Sequence, residues 1–123
     1  MPLVSIESSV ALPAHERATV LATLVATVER TLAVQPPTQV RVRLTDVDAS
    51  TVAVGDAIGD PWVVAFVHML EGRPEAAVAA FMSEFAETIA RAYGVDVKHV
   101  RVLVSTYPKV YWGIGSQSAA ALR

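Results

Sequence analysis

Residues 2–8 open the chain with apolar Leu3, Val4 and Ile6, and Ser5, Glu7 and Ser8 fall between or after them; this predicts a strand. From about Ala14 to Leu32 the period changes. Val20, Leu21, Leu24, Val25, Val28 and Leu32 recur at helical spacing, and Arg17, Thr23, Thr27 and Arg30 lie mostly off that stripe. Pro13 sits where a first helical turn accepts proline, and "VQPPTQ" breaks the helix. "QVRVRLTD" then alternates strictly, with Val40, Val42 and Leu44 on one face and Arg41 and Arg43 on the other. A polar loop of roughly 46–61 ends in "GDAIGDP". Nearly every residue of "WVVAFVHML" (62–70) is apolar, which fits a buried central strand. A second helix is predicted over about 74–93, with Val78, Phe81, Met82, Phe85, Ile89 and Tyr93 as its stripe and Gly94 placed to end it. "KHVRVLVST" reads as a further strand, and "YPKVYWGIGSQSAAALR" as a short strand or loop.

The order is therefore β-α-β, loop, β-α-β, and the two halves resemble each other. "RTLAVQPPTQVRV" answers "RAYGVDVKHVRV" with one residue deleted, and both place V-R-V on the strand after the helix. The reading is one domain over residues 1–123, made of two pseudo-repeats (about 2–45 and 62–106) and a C-terminal tail. Right-handed crossovers turn two such units into an α+β fold: a four-stranded mixed sheet with both helices on one face. The other face carries Arg41, Arg43 and Arg101 among apolar neighbours. In a monomer these arginines are simply solvated. In an oligomer that covers the face, they become partly buried cations in need of anionic partners.

Composition favours the oligomer. Of 123 residues, 53% are hydrophobic and only 18% charged, more apolar material than a domain of this size hides within itself. The net charge of −2 comes without basic runs, so no nucleic-acid surface is expected. The absence of cysteine excludes disulfides and thiolate zinc sites. His15, His68 and His99 lack metal-ligand spacing, so neither metal nor cofactor is expected. His68, within an apolar strand, reads as a satisfied core histidine. No transmembrane stretch or signal peptide is recognised, and the default is a soluble cytoplasmic protein. One position carries possible chemistry. Pro2 could be only a tolerated strand start. With Met1 removed, it would instead present a secondary amine fixed to the backbone.

Three stretches give these observations a family context. They are Pro2 followed by a strand, "PPTQVRVRL", and "AFVHMLEGR"; "KHVRVLVSTYPKVYWG" adds to them. Together they make the chain resemble the tautomerase superfamily, in its branches of two fused units: 5-carboxymethyl-2-hydroxymuconate isomerase, macrophage migration inhibitory factor and cis-3-chloroacrylic acid dehalogenase. The resemblance implies a homotrimer with the sheets facing inward and active sites at subunit boundaries, each built around Pro2. It matches Pro2 to the catalytic proline, and Arg41 and Arg73 to arginines that hold a substrate carboxylate. Where the dehalogenase has a histidine, a tyrosine and a water-activating glutamate, this chain has Glu29, Leu103 and a position near Tyr111. That machinery is incomplete.

The surviving set suits proton transfer through an enolate. Such a reaction needs a base near neutral pKa and positive charge where the enolate oxygen develops. Burial and a nearby guanidinium both lower an amine's pKa, and arginine grips a carboxylate through paired N–H bonds. The expectation is a cofactor-independent tautomerase or isomerase of a 2-oxo or unsaturated carboxylic acid. Pro2 is its base, Arg41 and Arg73 bind carboxylate or enolate oxygen, Arg101 assists, and Tyr111 and Trp112 wall the pocket. The alternatives are a dehalogenase- or hydratase-like activity on 3-substituted acrylates, a non-catalytic trimeric binding protein, and an unrelated ferredoxin-like ligand-sensing module.

Overall fold

Val4, Ile6 and Ser8 are buried and Leu3 is exposed, so strand β1 (Leu3–Ser8) turns one face to the core and the other outward. In the computed structural model, which describes residues 1–57 and 59–122, this parity runs through the whole sheet. Helix α1 (Arg17–Leu32) follows a single 3-10 turn at Ala14–Glu16. Then come β2 (Arg41–Asp46), β3 (Val63–Leu70), α2 (Glu75–Tyr93) and β4 (Val100–Tyr107). The tail folds into a small hairpin of β5 (Gly113–Ile114) and β6 (Gln117–Ser118). Strand order is β2-β1-β3-β4. The β1–β2 and β3–β4 pairs are parallel and the central β1–β3 pair is antiparallel, so the sheet is mixed.

The helices cover one face. Val20, Leu24, Val28 and Leu32 of α1 pack with Phe81, Phe85 and Ile89 of α2 over Val4, Ile6, Ala65, Val67 and Met69. Two threonines share this buried face at little polar cost, because each hydroxyl donates to the carbonyl four residues back: Thr27 to Thr23 and Thr88 to Glu84, both at 2.9 Å. β3 is the central, largely buried strand the sequence predicts, and Val64 is buried even on its outer face. Val63, Ala65, Val67 and Met69 point into the core, but Phe66, His68 and Leu70 on the other face are only half-buried.

The two β-α-β units end their helices alike. Ala33 and Gly94 both adopt left-handed conformations, with φ of 52° and 66°. The next residue then closes back over the helix end: Val34 N–H donates to Glu29 O and Val95 N–H to Ala90 O, each at 3.0 Å. Register matches as well, since Leu3 sits opposite Arg41 and Val64 opposite Arg101. Among the described residues, no helix is long and apolar enough to cross a membrane.

Candidate active site

Pro2 is fully buried at the start of β1, and its carbonyl accepts from Arg41 N–H at 3.1 Å. That bond ties the first residues to β2, so the N-terminus is held at the sheet's end. A cleft of about 560 Å³ opens there. Met1, Pro2 and Leu3 form its base, Thr38, Gln39 and Arg41 one side, and His68, Tyr107, Trp112 and the turn Gly113–Gly115 the other. Tyr111 also borders it and is largely exposed.

The arginines separate in space. Arg41 projects from the outward face of β2 into the cleft, and among the described residues it forms no ion pair. Arg73 stands behind the cleft rather than on its lining. Its guanidinium donates to Leu32 O at 3.4 Å and to Leu70 O at 3.5 Å, which joins the C-terminus of α1 to the end of β3. A cation suits that helix end, where the last carbonyls lack partners. From there it acts on the terminal amine. Burial lowers the pKa of the Met1 amine below its ordinary value, and the Arg73 charge lowers it further. Arg101 is not brought to Pro2 within the chain. It lies on β4 at the opposite edge of the sheet and borders a different cleft.

Two lining residues escaped the sequence reading. His68 Nδ1 and the Tyr107 hydroxyl share a hydrogen bond of 2.7 Å, and Trp112 packs edge-on against Tyr107 with ring centroids 5.6 Å apart. His68 is therefore satisfied, but by a cleft residue and outside the core. Its parity could have shown this. It shares a face with Val64 and Phe66, opposite Val63 and Val67, and pairs with Leu3 across the central ladder. The apolar run of β3 conceals that alternation.

The site thus joins a chain-terminal nitrogen in a depressed-pKa setting, an uncommitted guanidinium, and an aromatic wall with one polar pair. No protein-family model matches the chain. It is 37% identical over 59 residues to a 2-hydroxymuconate tautomerase from Stutzerimonas stutzeri, a span that covers 94% of that relative and 48% of this chain. Among solved structures it resembles Pt0534, captured after inactivation by 2-oxo-3-pentynoate, at 25% identity and TM-score 0.90 over 98% of both chains. It also resembles a fused 4-OT described as a symmetric trimer, at 24% identity and TM-score 0.89 over 97% of both chains. By its similarity to the muconate tautomerase over nearly that enzyme's full length, in a fold shared with these structures, the chain belongs to the tautomerase superfamily of isomerases.

Proposed function

We propose that this single domain of two pseudo-repeats (about 2–45 and 62–106) and a tail is a cytoplasmic, homotrimeric tautomerase of small 2-hydroxy- or 2-oxo-carboxylates, with the Pro2 amine as its base. The observation that carries the reading is the setting of the N-terminus: buried at its root, facing a cleft, with its amine's pKa lowered by burial and by Arg73. Removal of Met1 exposes the prolyl nitrogen one residue deeper in that setting. A lower pKa leaves more of the amine neutral at working pH, where it can accept a proton.

A dienol such as 2-hydroxymuconate, the compound named for the Stutzerimonas relative, illustrates the chemistry. Pro2 takes the proton from the 2-hydroxyl group. The electron pair moves through the conjugated system, the oxygen becomes a carbonyl, and the proton returns to carbon. Nothing is oxidised or reduced. Arg41 binds the carboxylate and the developing oxyanion, while the Tyr107 hydroxyl and Trp112 shape the wall against which the chain of double bonds lies. Arg73 sets the base's pKa from behind. The exposed apolar side chains Leu3, Leu103, Val110 and Tyr111 support burial of the open face between copies, as does the trimer described for the fused 4-OT.

Ketonisation of 2-hydroxymuconate or phenylenolpyruvate, followed by absorbance together with the intact mass of the protein, tests the reading. Measurable turnover by a protein lacking Met1 is expected; a chain that keeps Met1 and turns over equally well sinks the amine mechanism. Arg41→Ala is expected to raise KM for a carboxylate substrate about tenfold to a hundredfold, the worth of a lost charge-assisted hydrogen bond; an unchanged KM removes Arg41 from binding. Arg73→Ala is expected to move the acid limb of the kcat/KM profile to higher pH. The sign follows from the charge: loss of a neighbouring cation stabilises the protonated amine, raises its pKa, and depletes the free base at low pH. A limb that stays in place, or moves down, contradicts that role.

A further inference from the structure

We propose that His68 is a further catalytic residue of the Pro2 cleft: its Nε2–H donates to the substrate's 2-oxygen as that oxygen passes between carbonyl and enolate, in a tautomer that Tyr107 sets. The inference deepens the tautomerase reading and rests on it. The sheet register places the donor. Leu3 pairs with Arg41 on one side and with His68 on the other, so the three side chains form one row across the outward face. Two strand spacings separate Arg41 from His68, about 10 Å between backbones. Both border the cleft, with Leu3 between them. A 2-oxo acid laid over Leu3 turns its carboxylate to the guanidinium and its oxo group to the imidazole. Under the trimer reading this row lies at a subunit boundary, where a neighbouring copy shuts water out of the cleft and strengthens such a bond.

The hydrogen bond to Tyr107 selects the tautomer, which makes Tyr107 a positioning residue. Its length of 2.7 Å is that of an O–H donor, since N–H donors favour about 2.9–3.0 Å. The phenol therefore donates, Nδ1 accepts, and the ring's one proton sits on Nε2. Among the described residues Nε2 has no hydrogen-bond partner, and it is not sealed from solvent. No carboxylate lines the cleft among the described residues, so an imidazolium there has no counter-ion. A neutral donor suits an oxygen whose charge appears and disappears during turnover, while Arg41 keeps the carboxylate, whose charge is permanent. His68 holds its proton throughout, and Pro2 remains the group that moves protons.

The second half of the chain shows what the same position becomes without a base. Glu7 pairs with Val64 as His68 pairs with Leu3, and Val64 pairs with Arg101 as Leu3 pairs with Arg41. Val63, in the place of Pro2, has only an amide nitrogen. A carboxylate repels an enolate, and Glu7 instead accepts from the Trp62 indole at 3.4 Å. Of these two matching positions, the donor stands at the end of the sheet where the chain-terminal amine lies.

Nitrogen-15 spectra of the labelled protein read the donor directly. His68→Gln assigns its ring among the three histidines, and Trp112→Phe assigns the cleft indole. The free protein is expected to show the Nε2–H tautomer, and Tyr107→Phe to lose that preference. Phenylglyoxylate, a 2-oxo acid that cannot enolise, is expected to shift both Nε2–H and the Trp112 indole saturably. Phenylacetate, which lacks the 2-oxygen, is expected to shift the indole alone. In ketonisation of phenylenolpyruvate, His68→Asn keeps an acceptor for Tyr107 but has no donor at the ring's tip. It is expected to lower kcat about 10²-fold with KM nearly unchanged. His68→Gln places an amide N–H near Nε2 and is expected to recover about tenfold of that loss. An Nδ1–H tautomer, an Nε2–H that stays still while phenylglyoxylate moves the indole, or equal responses to the two acids overturns the proposal. Equal kcat in wild type and His68→Asn overturns it as well. The spectra do not depend on the Pro2 amine, so failure of this donor and failure of the proline base are separate results.

Discussion

Pro2→Ala is expected to lower kcat/KM for enol ketonisation by about 10²-fold or more, within the 10²–10⁴-fold range of general acid–base catalysis. Alanine leaves a primary amine at the chain end, so the low end of that range is expected when Met1 is removed. A chain end that retains methionine should reach the high end, because an amide nitrogen cannot accept the proton. The ring also supplies packing: Pro2 is fully buried and its carbonyl holds Arg41 N–H. A loss in kcat with KM nearly unchanged identifies the base; a rise in KM alone identifies a misplaced N-terminus. Chemical labelling provides an independent check. 2-Oxo-3-pentynoate, which inactivates Pt0534, has an activated alkyne to which a neutral amine can add. Covalent gain of one reagent mass on the N-terminal peptide is expected when Pro2 is free. Equal kcat/KM in wild type and Pro2→Ala, with no labelling of that peptide, rejects the mechanism.

Phe85→Ala is expected to destabilise the protein by about 3–5 kcal/mol, the usual cost of removing a buried phenylalanine and leaving its cavity. Phe85 is completely buried in α2 and stacks on Phe81 with ring centroids 5.1 Å apart. Both rings lie in the cluster where α1, α2 and the inner face of the sheet meet. Phe85→Leu should cost much less, since it preserves most of the volume. Urea unfolding at a fixed protein concentration measures the difference, and the concentration matters because assembly adds to apparent stability. A cost below about 1 kcal/mol for the alanine variant would mean that this cluster is not the centre of the fold.

The hydrophobic pattern resolved nearly every element because each buries one face. The α1 stripe from Val20 to Leu32 and the α2 stripe from Phe81 to Tyr93 follow the helical period, and both are buried as that period requires. β2 was equally plain, since arginine alternates with valine and leucine at an edge strand with one wet face. The match between "RTLAV" and "RAYGV" reached down to backbone geometry: Ala33 and Gly94 take the same left-handed conformation, although alanine does so at a steric cost glycine avoids. β3 was the least legible strand. As a central strand it buries most of both faces, so the side on which His68 lay was hidden.

Sequence alone determined the two β-α-β units, their helix-covered face, and the position of Pro2 at the start of the first strand. These follow from local periodicity and chain order. Tertiary structure decided which cations accompany which end of the sheet. Arg41 and Arg101 occupy matching places in the two halves, and the antiparallel pairing of β1 with β3 sends them to opposite ends. The same pairing brings His68 beside Leu3, and the turn of the tail after β4 adds Tyr107 and Trp112. Arg73 faces backbone carbonyls instead of the cleft because α1 ends beside it. Periodicity reports which face of an element is buried. Which elements meet across that face is set by long-range pairing, and residues 39 apart, such as His68 and Tyr107, carry no local mark of their contact.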